Sequence, residues 1–460
     1  MGTLDTLWCA RAMVLVACLG CGRLEFDELD EPDDVDVMVP SWGGGTRLRP
    51  RVYVFPDGQR SLEGWYDSEL ATPCFLDALD ADGVRRCFPR AMDLVFTDAA
   101  CTLPVGLTTD TLPATAWAGK KEVIGCDFRW TRWYPALAPV AAPQQIYVLG
   151  STGCAGPTAP MASHVFYTLG PAAAPTGLVS VSDTVRGTRR LRAEGWQADD
   201  GAFSLATLHD AALGTQCQVA ESADGLRCLP AGSAGVSVYF SDPACTRSLA
   251  ITGGGCFAPR YVWGYERCSA QRIYELGAPH SGAIYAQNGA VCELTSSTAA
   301  LAAIGPEVDA STFVLGASRE EPTAGRLVPV HWHGSDGGQV LLNWLDTARD
   351  SESCVLGTGF GSGAHCTPSE ALVSIADYAD ASCVVPIAEN EPACQARYIY
   401  VSDSRGVSVH EIDTTASAPT TRFQYFGSCM PATLDTSKSY ESGGVVLSFS
   451  DFEAAVEVIE

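Results

Sequence analysis

Two of the chain's seven histidines, His331 and His333, flank Trp332 in the stretch RLVPVHWHGSDGG that begins at Arg326. Histidines two apart on a strand face the same way, which suits zinc chelation if a third ligand joins them. No carboxylate or histidine is placed in the sequence to complete that set, so a metal-free strand decoration is expected. Ser362 and His365 have the residue types of a nucleophile and its base. Ser362, however, occupies the turn position held elsewhere by Asp82 and Asp224, and a turn is expected there. Asp77, Asp80, Asp82 and Gly83 follow part of a calcium-loop spacing but lack the later ligand of an EF-hand. A hairpin turn is the favoured reading, and calcium is the one cofactor left open. Trp117, Trp130 and Trp133 lie close to Lys120 and Lys121. Aromatic platforms beside polar groups suit sugar or peptide binding, but core packing is the favoured reading, particularly for Trp130 at the Arg-aromatic position. G-x-S-x-G, G-x-x-x-x-G-K-[ST] and H-E-x-x-H motifs are absent from the sequence. No catalytic residue is assigned, and a non-enzymatic protein is the stronger expectation.

The elements that must position these residues come in three copies. Arg326-Leu327 to Asp336-Gly337 aligns without gaps on Arg190-Leu191 to Asp200-Gly201 and on Arg47-Leu48 to Asp57-Gly58. Each copy continues with an Asp (Asp67, Asp210, Asp346), a first cysteine (Cys74, Cys217, Cys354), a Gly turn and a second cysteine in Cys-x-Pro (Cys87, Cys228, Cys366). An aromatic-x-Asp pair then precedes a third cysteine: Phe96, Asp98, Cys101; Phe240, Asp242, Cys245; Tyr378, Asp380, Cys383. A fourth cysteine precedes an Arg-aromatic pair: Cys126 with Arg129-Trp130, Cys256 with Arg260-Tyr261, Cys394 with Arg397-Tyr398. Cys154, Cys292 and Cys429 close the copies. The repeated acids Asp98, Asp242 and Asp380 are expected to pair with Arg129, Arg260 and Arg397. Because one active site needs no tripling, that recurrence points to structure. In this alignment His331 and His333 fall where copy two has Gly195 and Gln197 and copy one has Val52 and Val54, so the repeat does not require them.

Forty-five glycines and 27 prolines, spread among short runs rich in Val, Tyr, Phe and Thr, read as many short strands joined by turns. All-β is therefore the expected class. First cysteines 143 and then 137 residues apart give a period too long for a solenoid rung. With seven or eight strands per copy, a six-bladed propeller is the leading architecture, and three tandem β-sandwich-like domains the alternative. Fifteen of the 19 cysteines belong to the repeat, three to the leader, and Cys268 stands apart. Such density in an exported chain reads as disulfides. Local pairs are expected: first with second, third with fourth, and Cys268 with Cys292. Cys154 and Cys429 would then be left to join the first copy to the last.

A formal net charge of −25 opposes nucleic acid and anionic membrane surfaces, so membrane attachment requires an anchor. The first 21 residues supply a candidate: Arg11, an apolar run from Ala12 to Gly20, then Cys21, with Cys18 as the other possible lipid acceptor. Eight acids between Glu25 and Asp36, followed by Gly43 to Gly45, form a self-repelling stretch expected to act as a tether. The start Cys21-Gly22-Arg23, the acidic tether and the repeated Asp-Gly, Cys-x-Pro and aromatic-x-Asp signatures resemble uncharacterised cysteine-rich envelope lipoproteins of myxobacterial-type bacteria. That resemblance covers nearly the whole chain; it implies location and a β-rich repeat architecture, and carries no established activity. The organisation read from sequence is a signal segment (1–21), a tether (22–46) and β repeats at 47–186, 187–325 and 326–460. The function expected is a lipid-anchored, disulfide-stabilised envelope protein, with the outer membrane as its expected place, that binds a glycan or protein ligand. An exported hydrolase or lyase acting on glycans, and a structural envelope component, are the alternatives, and a secreted or periplasmic location is the alternative to anchoring.

Overall fold

The computed structural model describes residues 42–76, 79–108, 116–124, 127–150, 153–161, 163–231, 234–252, 259–264, 270–288, 291–297, 299–360, 363–369, 371–374, 376–390, 396–403, 405–425, 427–434 and 439–460. The candidate acceptors Cys18 and Cys21, most of the tether, and Cys126, Cys256, Cys268, Cys394, Asp77 and Ser362 lie outside these residues. Among the described residues the fold is all-β, its few helical segments being three-residue turns such as Ala310–Thr312.

Each copy opens with an antiparallel meander. In copy two its strands are Leu191–Ala198, Phe203–Asp210, Thr215–Ser222 and Gly225–Pro230. Copy three repeats it with Leu327–Gly334, Gln339–Asp346, Glu352–Phe360 and Gly363–Pro368. Copy one has Leu48–Val54, Arg60–Asp67 and Thr72–Phe75, with the short strands Arg85–Arg86 and Phe88–Pro89 in the fourth place.

The last strand of each copy pairs with the first strand of the next. Ser180–Arg186 pairs with Leu191–Ala198, Gly316–Glu320 with Leu327–Gly334, and Ala454–Ile459 returns to Leu48–Val54. The other side of each linking segment meets its own copy's fourth strand, through Ser180 and Arg86, Leu315 and Arg227, and Ala455 and Ala364. The three meanders therefore form one closed circuit. The sheets that result run to fifteen and ten strands and do not divide into six four-stranded blades. Nor are the copies tandem independent sandwiches, because every linking strand completes a neighbour's sheet.

Polar locks fix the circuit. The Asp-Gly turns place glycine at φ of +89° (Gly58), +98° (Gly201) and +89° (Gly337), a region that side chains resist. One oxygen of each turn aspartate accepts the N–H two residues on, at Gln59, Ala202 and Gly338. The other reaches into a different copy: Asp57 accepts from Leu327 N at 2.8 Å, Asp200 from Leu48 N at 2.6 Å, and Asp336 from Leu191 N at 2.7 Å. Beside each leucine an arginine binds a fully buried carboxylate twenty residues on: Arg47 with Asp67, Arg190 with Asp210, Arg326 with Asp346. These arginines also donate to the carbonyls of Gly177, Thr312 and Asp451, fastening the start of each copy to its end.

The apolar cores follow the same rotation. Cys74 and Cys87 pack with Leu48, Trp65 and with Ala198 and Ala202 of copy two. Cys217 and Cys228 pack with Leu191, Leu208 and with Trp332 and Val340 of copy three. Cys354 and Cys366 pack with Leu327, Trp344 and with Phe55 of copy one. Within each of these cores the first and second cysteines are bonded, as expected from sequence.

Between its fourth and last strands each copy inserts an outer unit. In copy two the strands Ala234–Phe240, Ser248–Ile251, Leu301–Glu307, Arg272–Pro279 and Tyr261–Gly264 pair in a closed order, and a hairpin of Ile284–Asn288 and Val291–Thr295 hangs from the first. Copy one builds the same closure from Ala91–Phe96, Pro104–Thr108, Val165–Leu169, Asp127–Val140 and Trp117–Ile124. Its hairpin is Ile146–Gly150 with Gly153–Thr158, and that of copy three is Arg422–Tyr425 with Cys429–Ala432. Each hairpin is stapled to the loop after its unit's aromatic-x-Asp pair by Cys101–Cys154, Cys245–Cys292 or Cys383–Cys429. This corrects five expected pairings: Cys101 with Cys126, Cys245 with Cys256, Cys383 with Cys394, Cys268 with Cys292, and Cys154 with Cys429. The third cysteine reaches past the fourth because the hairpin folds back beside the Asp loop, and among the described residues the first copy meets the last by strand pairing, with no disulfide between them.

Candidate functional site

The first meander strand of copy three, Leu327–Gly334, carries the histidine pair. His331 is 1% exposed, its Nδ1 is 3.1 Å from Glu321 Oε1, and its ring lies 6.5 Å from that of His333. Gln339 Nε2 donates to the same Glu321 oxygen at 3.4 Å. Glu321 follows directly on the linking strand Gly316–Glu320, whose Arg319 pairs opposite His331. Burial first, then the nearby Arg319 and His331, hold the His333 pKa below its ordinary value, against an opposing pull from Glu321. Among the described residues no three His, Cys, Asp or Glu side chains form a group that could hold a metal ion. At this place in the circuit, copy one joins Arg60 to Glu460, and copy two sets Arg186 on Gln197 and 4.5 Å over Phe203. Three different polar solutions therefore seal one structural position. Trp332, between the histidines, is fully buried in the copy-two core and donates to Leu226 O at 3.2 Å.

The three tryptophans of copy one do come together. Trp117 and Trp133 stack at 5.7 Å, Trp130 meets Trp133 edge-on at 4.8 Å, and Phe88 contacts both Trp130 and Trp133. A Cβ on Gly119 would fall 2.5 Å from Trp130 and 2.6 Å from Trp133, so glycine is needed under the rings. Strand pairing shows what the cluster is built on. The strands beginning at Trp117, Tyr261 and Tyr398 all run parallel to the strand that follows Cys-x-Pro. Trp117 is thus the counterpart of Tyr261 and Tyr398, and Arg129-Trp130 lies one strand further on than the sequence alignment placed it. The reason is an exchange of volume across the hairpin: Gly119 faces Trp133, whereas Trp263 faces Ile273 and Tyr400 faces Val409. Trp117 and Trp133 therefore occupy joint positions that other copies also fill with apolar groups. Trp130 is the addition, brought in by a register shift and covered by Lys121 at 5.3 Å from its ring centroid.

The repeated aspartates organise their own loops instead of pairing with Arg129, Arg260 and Arg397. Asp98 accepts from Thr102 N, Leu103 N and the Thr102 hydroxyl. Asp242 accepts from Thr246 and Arg247, and Asp380 from Ser382, Val384 and Val385. These bonds hold the third cysteine at φ of +52° (Cys101), +51° (Cys245) and +52° (Cys383), aimed at its disulfide partner. Arg129 instead donates to Ala81 O, Arg260 lies over the Tyr261 ring, and Arg397 lies over Tyr398 and reaches Glu352.

In the calcium-like run, Asp80 is 1% exposed and accepts from Asp82 N and Val84 N while pairing with Arg86 at 2.7 Å. Burial pushes its pKa up, but the Arg86 hydrogen bond and the two backbone donors outweigh this and hold it below the ordinary value. Asp224 makes the matching turn in copy two with Arg227 and Ser222. His365 lies 5.8 Å from the Phe449 ring.

Two features escaped the sequence reading. Tyr378 donates to Asp403 and accepts from Arg405, whose guanidinium lies 5.0 Å over the Tyr378 ring and 4.2 Å over Tyr425. Burial and then Asp403 raise the Tyr378 pKa, keeping the phenol a proton donor. The counterparts Phe96 and Phe240 carry no hydroxyl, so only the Tyr in place of Phe could have signalled this cluster. The Arg-Asp locks were legible in principle, since arginine and aspartate recur twenty residues apart in every copy.

The geometry defines a class: a disulfide-stapled, all-β repeat protein whose copies close into a circuit by sharing strands. The chain belongs to the DUF7481 family, a family of unknown function, whose model matches residues 30–333. No curated protein and no solved structure matches it.

Proposed function

We propose that the protein is a lipid-anchored interaction module of the cell envelope, held off the membrane by its acidic tether. The observation that carries the reading is the division of labour in the fold. One polar lock is repeated three times in the circuit, while the outer units that hang from it differ: Trp130 under Lys121 in copy one, exposed Val238 and Leu294 in copy two, and the Tyr378 cluster in copy three. A constant scaffold with variable appendages is suited to recognition. Six disulfides among the described residues suit an oxidising compartment. The apolar run before Cys21, or before Cys18, supports lipidation, and the resemblance to envelope lipoproteins supports the outer membrane. Trp130 beside Lys121 is the aromatic contact available to a glycan, while Trp117 and Trp133 spend their faces on each other.

The test follows lipid labelling and protease shaving of intact cells for the wild type, Cys21→Ser and Cys18→Ser. Loss of label in one variant, with the wild type shaved from outside, is the expected result. An unlabelled or protected wild type overturns anchored display.

A further inference from the structure

We propose that the edge strand Val291–Thr295 of copy two is a docking site for an extended, basic segment of a partner protein, which adds to the sheet as a further strand. This deepens the interaction-module reading and rests on it. Among the described residues the strand pairs on one side only, with Ile284–Asn288, and stands at the end of its sheet. An edge of unpaired N–H and C=O groups invites strand addition unless it is blunted.

The three copies let the blunting be compared at one register position. The inner strand of each hairpin joins its outer unit through an aromatic: Tyr147 opposite Phe96, Tyr285 opposite Phe240, Phe423 opposite Tyr378. Opposite Phe423 on the edge strand stands Pro431, which has no N–H. In copy one a register shift between Ile146 and Val148 brings Gly156-Pro157 to that place, and a Cβ on Gly156 would meet Tyr147 at 2.9 Å. Copy two has Leu294 there, 70% exposed, with Val291 57% exposed at the start of the same strand. Two edges carry proline and the third carries exposed aliphatic side chains. The disulfide Cys245–Cys292 holds this third edge in place, so little ordering remains to oppose binding.

The charge pattern selects the partner. Glu293 is the one charged residue of the strand and stands at its centre. Antiparallel pairing of two copies about that centre would set Glu293 against Glu293, between bodies of net charge −25. A partner strand with β-branched residues alternating with lysine or arginine answers both the apolar and the acidic positions.

The probes are two synthetic peptides, one alternating valine with lysine and one alternating valine with glutamate, read by fluorescence anisotropy and by amide exchange across 291–295. The lysine peptide is expected to bind about tenfold or more tightly than the glutamate peptide, and to protect 291–295. Leu294→Pro, which copies the proline of the other edges, is expected to abolish binding. Glu293→Lys, which leaves the backbone intact, is expected to invert the preference. Absence of binding by either peptide, protection elsewhere, or binding unchanged in Leu294→Pro overturns the site. Protection of 291–295 that grows with protein concentration alone assigns the edge to a second copy and overturns the partner. Failure here with surface display intact leaves the interaction reading standing, whereas loss of display with peptide binding intact removes the anchor and keeps the edge.

Discussion

The inner circuit and the outer units are built from the same three copies, yet they have diverged unequally. In the circuit, Arg47, Arg190 and Arg326 make the same contact with Asp67, Asp210 and Asp346. The turn aspartates Asp57, Asp200 and Asp336 each hold a leucine of another copy. In the outer units, equivalent positions hold Gly119, Trp263 and Tyr400, and the large ring has changed strands in copy one. The difference follows from what each contact must satisfy. A buried carboxylate without its guanidinium leaves an uncompensated charge, so the circuit admits few substitutions. An apolar joint needs only filled volume, which several side-chain combinations supply.

The sharpest way to break the contrast is to strip one lock. Arg190→Ala leaves Asp210 buried and unpaired and is expected to cost about 3–5 kcal/mol in denaturant unfolding. Arg47→Ala and Arg326→Ala are expected to cost similar amounts, because the three sites are equivalent; a loss under about 1 kcal/mol at any of them would separate that copy from the rest.

Disulfides come next. Replacing both Cys101 and Cys154, 53 residues apart, by alanine is expected to cost about 4 kcal/mol, and replacing Cys74 and Cys87, 13 apart, about 3 kcal/mol in the chain-entropy model. Limited proteolysis distinguishes the two. Nicking confined to 97–170 is predicted for the first pair, and cleavage throughout the chain for the second.

The tryptophan cluster sharpens the comparison at smaller scale. Trp133, 2% exposed, is expected to cost about 3–5 kcal/mol as alanine, whereas half-buried Trp130 is expected to cost less than Trp133 and to be the one whose loss removes glycan retention on an affinity column. The smallest effect is in pH. Burial holds the His410 pKa below its ordinary value of 6.5, against a hydrogen bond with the Gly444 backbone that raises it. Its folded pKa being depressed, His410 contributes stability that is present above about pH 6.5 and is lost as the pH falls through that value toward the folded pKa. The slope of melting temperature against pH in that window is therefore expected to be shallower in His410→Leu than in the wild type.

Much of the circuit was legible in the sequence and its closure was not. Arg-Leu and Asp-Gly at fixed spacing marked three copies, and the first two cysteines of each gave the inner disulfides. Whether Ser180–Arg186 turns back onto its own copy or forward onto the next depends on strand exchange, which leaves no local signal in residues such as Val181 or Val185. The same holds for Cys154: short separation favours Cys126, and only the fold of the Ile146–Thr158 hairpin brings Cys154 beside Asp98. Recurrence identified Asp98, Asp242 and Asp380 as structural, but could not say that their partners are the loop's own N–H groups. At His331 and His333 the spacing suggested a ligand pair, and the circuit uses the position as a seam that copies one and two close differently.

The most direct test of the closed circuit is amide exchange at Leu48, Leu191 and Leu327, whose N–H groups each bind an aspartate of another copy. If the three copies form one closed unit, the three amides exchange only through global unfolding, with a single free energy equal to that from denaturant melts. If one of them exchanges earlier than the others, by an opening that leaves the remaining two protected, the copies are separable and the closed circuit is contradicted.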